Sequence, residues 1–159
     1  MATLWTWEGH LDLLHPPHRQ NNISMCPSFR GKTKLARHPL VKGDPRKGLE
    51  TLLSDELNTF DRLQELTEPD AAESFSGGSK MRYHLGDPCA LLDKINLNDK
   101  INLNDKKRTI EFREHKSTLH AESVSNWIEF CIRLVEFADD VPPELLYPWL
   151  RAHIGETPE

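Results

Sequence analysis

Lys107-Arg108-Thr109-Ile110-Glu111-Phe112-Arg113-Glu114-His115 sets the expected architecture of this chain. Thr109, Ile110 and Phe112 favour a strand, and alternation places Ile110 and Phe112 on one face. Thr109, Glu111 and Arg113 then share the other face. An acid and a guanidinium two residues apart on a strand project side by side. Such an acid can ligate a hard cation such as Mg²⁺, and the arginine can clamp phosphate or carboxylate through its fork of donors. The same pattern also describes an exposed sheet face carrying screened charges.

The flanking sequence is helical. Beyond Ser117-Thr118-Leu119, a helix is expected over about His120 to Asp139, with Val124, Trp127, Ile128, Cys131, Val135 and Ala138 as its core stripe. Glu122, Asn126, Glu129, Arg133 and Glu136 line its opposite face, and Glu129 precedes Arg133 by four residues, the favourable order for a surface pair. Pro142-Pro143 breaks the chain, and a short helix from about Glu144 to His153 follows, offering Leu146, Trp149 and Leu150 for packing. Upstream, Met81 to Leu85 reads as a short strand before the Gly86-Asp87-Pro88 turn. Lys94 to Asp105 is Lys-Ile-Asn-Leu-Asn-Asp written twice, too short a period for a solenoid, and reads as an exposed duplicated loop or a hairpin.

The first 66 residues add two helices. Leu4, Trp7, Leu11 and Leu14 make one apolar stripe, stopped by Pro16-Pro17. From Gln20 to Lys47 the chain is irregular and basic, which suits either an anionic ligand or a solvated loop. Asp44-Pro45 is a cap followed by a first-turn proline, and Leu49, Leu52, Leu53, Leu57, Phe60, Leu63 and Leu66 predict a continuous helix to about Leu66. Residues 68–80, ending Ser76-Gly77-Gly78-Ser79, read as a flexible linker.

Length suits one domain spanning residues 1–159. Apolar residues are 37% of the chain and prolines number eleven, so the core is expected to be modest. A net charge of −5 argues against nucleic acid, and no apolar run of about 18 residues argues against a membrane span. Cys26, Cys89 and Cys131 are far apart and odd in number, as in a reducing compartment, so a cytoplasmic location is expected. His10, His15 and His18 lack the register of a zinc site, and neither a P-loop nor a dinucleotide fingerprint is present.

Two separated segments carry a family resemblance. Leu13-Leu14-His15-Pro16-Pro17-His18-Arg19-Gln20 with Cys26-Pro27-Ser28-Phe29-Arg30, and then Arg108 to His115 with Thr118-Leu119 and Asn126-Trp127-Ile128, resemble fungal amidoligases. The resemblance implies the α/β fold of the carboxylate–amine ligases related to glutamine synthetase and glutamate–cysteine ligase, and for this chain an α+β fragment of that fold is expected, a small, reduced antiparallel or mixed sheet with helices on one face. It implies ATP- and Mg²⁺-dependent joining of a small-molecule carboxylate to an amine through an acyl phosphate. Carried over, Glu111 would ligate Mg²⁺ and Arg113 would hold phosphate. Arg19 and Arg30 would grip an anionic group, and His115 would orient its neighbours. Glu114 stands where the family has glutamine, Ser117 where it has glycine, and His120 where it has aspartate. The family's acidic GxExE strand and its HxHxG strand have no counterpart in this sequence, so the domain reads as incomplete. Three readings stay open: a ligase chain weak or inactive alone, a non-catalytic module that meets a protein partner or a second copy through exposed apolar helix faces, or an anion-binding surface that uses the basic loop alone.

Overall fold

The computed structural model of the chain describes residues 1–17, 28–57, 59–70, 83–86, 109–112 and 118–156. Helix α1 (Ala2–Asp12) forms where the apolar spacing expects it. Its buried side is wider than the stripe of Leu4, Trp7, Leu11 and Leu14. Leu4, Trp5 and Leu11 are buried together with Thr3, Thr6 and Glu8, while Leu14 is exposed. The cause lies in helices that pack against the Trp5 side.

The described part of the basic tract is not irregular. Ser28 and Thr33 each cap a short helix, α2 (Phe29–Lys32) and α3 (Lys34–Arg37). The Ser28 hydroxyl accepts from the Gly31 N–H at 3.1 Å and Thr33 from the Ala36 N–H at 3.0 Å. Thr33 also donates to the Phe29 carbonyl at 2.8 Å, which ties the two turns together. A hydroxyl at the start of a helix satisfies a main-chain donor that otherwise lacks a partner.

Helix α4 (Pro45–Leu52) starts as the sequence predicts, with the Asp44 carboxylate accepting from Arg46 N–H at 2.9 Å and Lys47 N–H at 3.4 Å. It does not continue to Leu66. A 3-10 turn at Asp55–Leu57 intervenes before α5 (Phe60–Thr67). The Ser54 hydroxyl donates to the Thr51 carbonyl at 2.8 Å, and Thr59 caps a new start at the Arg62 N–H. Both are side-chain bonds that compete with helix continuation.

Strands β1 (Tyr83–Gly86) and β2 (Thr109–Phe112) pair antiparallel, with Tyr83 opposite Phe112, His84 opposite Glu111, Leu85 opposite Ile110 and Gly86 opposite Thr109. Helix α6 (Ala121–Asp140) and helix α7 (Pro143–His153) complete the described elements.

The expected α+β architecture, a small sheet with helices on one face, is corrected. Among the described residues strand is confined to this four-residue ladder, and the rest is mostly helix. Two four-residue strands bury too little to organise a domain. The helices bury their apolar sides on one another, in a core built from α1 to α5 and α7 with Trp5, Phe29, Leu35, Leu49 and Leu150 at its centre. Helix α6 contributes no fully buried residue. Its inward side is Trp127, Phe130 and Leu134, whereas Val124, Ile128 and Val135 of the expected stripe are exposed, Ile128 at 52%. The Glu129–Arg133 pair forms loosely at 3.9 Å, and Arg133 also reaches Glu136 at 3.2 Å.

Of the expected linker, Glu68–Asp70 is tied to α2 and α3. Pro69 bridges Thr33, and the Lys34 ammonium meets Glu68 at 2.9 Å. Residues 71–80 and the duplicated loop 94–105 lie outside the described residues.

Candidate functional site

Glu111 occupies the third position of β2. Its cross-strand partner is His84. Directly opposed residues in an antiparallel ladder are neighbours on one face, with Cβ atoms about 4.5–5.5 Å apart. The register thus sets Glu111 and His84 opposite each other on the ladder. The sequence reading had a short strand at this position of the chain but gave His84 no role. The signal lay in the alternation of Tyr83-His84-Leu85, whose apolar members pair with Phe112 and Ile110 and so leave His84 to Glu111.

The ladder is anchored by Phe112. Its ring stands edge-on to Trp127 of α6, centroids 6.5 Å apart at 85°. Trp127 stacks on Phe130 at 5.5 Å and meets the buried His15 edge-on at 4.9 Å. An unbroken chain of rings therefore runs from β2 across α6 to the segment after α1. Edge-to-face and stacked pairs of this kind favour fixed orientations, so the position of Glu111 is coupled to the helical body.

Arg30 has a different setting. It sits in α2 and donates from Nε to the Trp5 carbonyl and from Nη2 to the Thr6 carbonyl, both in α1. The Glu8 carboxylate, also in α1, accepts from the Phe29 N–H and, at 2.8 Å, from the Arg30 N–H. The Ser28 hydroxyl donates to it at 3.3 Å. Burial pushes the Arg30 guanidinium below its ordinary range, and the Glu8 charge pulls it back up. Acid and guanidinium together lock α2 across α1, so the observed bonds of Arg30 are to the protein's own main chain. Glu8 carries half of this junction, and the sequence reading overlooked it. No basic residue stands three or four positions from Glu8, so its partner had to come from elsewhere in the chain. Arg19, Arg113 and His115 lie outside the described residues.

A Mg²⁺ ion takes oxygen ligands, commonly one or two carboxylates together with substrate phosphates and waters. Glu111 fits as one such carboxylate. His84 is a nitrogen donor better suited to softer metals. Among the described residues no group of three His, Cys, Asp or Glu could hold a metal ion. The ladder thus suits a contributor to a nucleotide–metal site rather than the whole of one. No helix among the described residues is long and apolar enough to cross a membrane.

Comparison with curated proteins found no match, and comparison with solved structures found none. A family model described as "Putative amidoligase enzyme" matches residues 2–135, which takes in α1 through most of α6 and both strands. A match over so much of the chain shows the family: this chain belongs to the amidoligases.

Proposed function

We propose that this chain is an amidoligase-type carboxylate–amine ligase of the cytoplasm that uses ATP and Mg²⁺, and that it is weak or inactive alone. The observation that carries the proposal is the family match across β2, together with the placement of Glu111 opposite His84. Bound ATP and Mg²⁺ would supply the activation of the substrate carboxylate. In such chemistry the protein's share is mostly positioning and charge neutralisation. Glu111 would offer an oxygen ligand to the metal, and His84 would hold a hydrogen bond beside it. Arg113, next along the chain, and Arg19 would meet phosphate or an anionic substrate, while His115 would orient these groups. Arg30 would serve by fixing α2 against α1.

The test is nucleotide-dependent stabilisation of the full chain. A ligand that binds only the folded state raises the melting temperature. ATP with Mg²⁺ should raise it, and Glu111→Ala and Arg113→Ala should each abolish the rise. A melting temperature indifferent to ATP and Mg²⁺ in the wild type would overturn the ligase reading.

One observation favours a second reading, a non-catalytic interaction module. Ile128 and Ile132 on the outer side of α6 are each 52% exposed, with Val124 and Val135 open beside them. Exposed apolar side chains in a row mark surfaces that partners cover. This reading predicts concentration-dependent self-association, and a monomer at all concentrations in size-exclusion chromatography would count against association through a second copy.

A further inference from the structure

Helices α1, α6 and α7 leave a cavity of about 360 Å³ between them. Trp7, Phe130, Phe137 and Trp149 form its aromatic walls. The rings support one another: Trp7 and Trp149 lie 5.2 Å apart, and Phe137 stands edge-on to Trp149 at 5.5 Å. Thr3 and His10 are the polar members of the lining. Among the described residues no Asp, Glu, Lys or Arg lines the cavity, although these make up 28% of the chain.

We propose that this cavity binds a small neutral apolar molecule bearing one flat aromatic ring, of the benzene class. Charge selects neutrality, because an ion entering an apolar site loses its hydration and finds no counter-charge here. The walls select a ring, since four aromatic side chains offer both faces and edges for offset and edge-on contacts. The surface that faces the cavity is almost wholly apolar although Thr3 and His10 help to line it, which selects a ring without polar groups. The volume lies within the range of ligand pockets, about 300–1,000 Å³. Trp149 and Phe137 are left partly open to water at this concavity, so an occupant would cover apolar surface that the fold does not. The site is separate from Glu111 and does not depend on ligase activity.

The test is titration of the full chain with fluorobenzene, followed by fluorine NMR. A saturable shift with Kd below about 1 mM is expected. Leu14→Trp, at the exposed side of the lining, and Leu134→Trp, at its α6 wall, fill the cavity, and each should weaken binding at least about tenfold. Two variants are used because Leu134→Trp strains packing more than Leu14→Trp does, and a thermal melt identifies any variant that fails to fold. Ile128→Ala, on the outer side of α6, should leave binding unchanged. Linear, unsaturable shifts in the wild type would overturn the proposal. So would binding that survives in folded Leu14→Trp, or binding that Ile128→Ala removes.

Discussion

The junction of α1, α2 and α4 and the long helix α6 reverse what their sequences advertise. At the junction a charged residue, Glu8, is buried on the same helix as Trp5. Helix α6 is the longest helix among the described residues, yet none of its residues is fully buried. Apolar pattern decides that a helix forms and which sides are able to pack. Burial is decided by which neighbours arrive. At the junction they arrive because polar groups have specific partners: the Trp5 indole donates to the Pro45 carbonyl at 2.8 Å, and Glu8 receives the first N–H groups of α2. Among the described residues, helix α6 meets the core through Trp127, Phe130 and Leu134 on one side.

The largest expected effect tests that contrast. Glu8→Ala orphans the N–H groups of Phe29 and Arg30 and leaves the guanidinium beside α1 without its counter-charge. Leaving these two main-chain donors without an acceptor costs about 3 kcal/mol. In a chain of this size that is a fall in melting temperature of about 6–12 °C. Ile128→Ala should change stability by less than about 0.5 kcal/mol, as exposed substitutions do. Equal losses in the two variants, read by urea denaturation, would mean that the outer side of α6 is covered and that the contrast is false.

Local chemistry was legible in the sequence. Asp44-Pro45 announces the start of α4 because cap and first-turn proline act within three residues. The start and end of α6 and α7 were equally plain from Pro142-Pro143 and the apolar period. What was hidden depends on distant partners. Ser54 and Thr59 interrupt a helix that the leucine spacing extends to Leu66, because a hydroxyl's choice of acceptor carries no mark in the pattern. The inward side of α6 was misplaced for the same reason: Val124, Trp127, Ile128 and Val135 are equally apolar in the sequence, and only Trp127 meets Phe112 and His15. Of the site, Glu111 was found on its strand, and His84 needed the register. The α+β expectation rested on the family's sheet, of which the described residues hold one ladder.

The amino terminus sharpens the picture of the α1 side. The Met1 amino group is buried although its side chain is partly open, and burial pushes it down from 8.0 to about 6. Between those values the folded state binds fewer protons than the unfolded one, so stability rises with pH. The penalty is complete below about pH 6 and gone above about pH 8, and two pKa units correspond to about 2.7 kcal/mol. Denaturation midpoints of the chain with a free Met1 amine should rise across this window, and those of the Nα-acetylated chain should stay flat.

Gly48 measures how closely α4 approaches. A Cβ placed there would lie 2.1 Å from the Trp5 ring, so only glycine lets the two helices touch. Overpacking of this kind costs about 2 kcal/mol, against the gain of a few tenths to 1 kcal/mol that glycine to alanine brings in an unhindered helix. Gly48→Ala should therefore destabilise, and Gly48→Ala combined with Trp5→Phe should recover part of the loss. A stabilised single variant would show that the indole has room to move.

The smallest expected effect joins α4 to α7 on the surface. Arg151 grips Glu50 with two bonds, Nε to Oε1 at 2.7 Å and Nη2 to Oε2 at 2.8 Å. The hydrogen bond from Arg151 holds the Glu50 carboxyl below its ordinary range. A carboxyl with a lowered folded value contributes stability above the ordinary carboxylate range and loses it as pH falls through that folded value. Both side chains are exposed, so solvent screening limits the pair to at most about 1 kcal/mol. A double-mutant cycle with Glu50→Gln and Arg151→Gln at neutral pH should give a coupling of that size, which shrinks at high salt and disappears in acid. Arg151→Lys keeps the charge and loses the two-point geometry, so it should retain less than half of the coupling. Coupling that persists in 1 M salt would mean that the contact between α4 and α7 excludes water, and that this surface belongs with the buried junction rather than with the open side of α6.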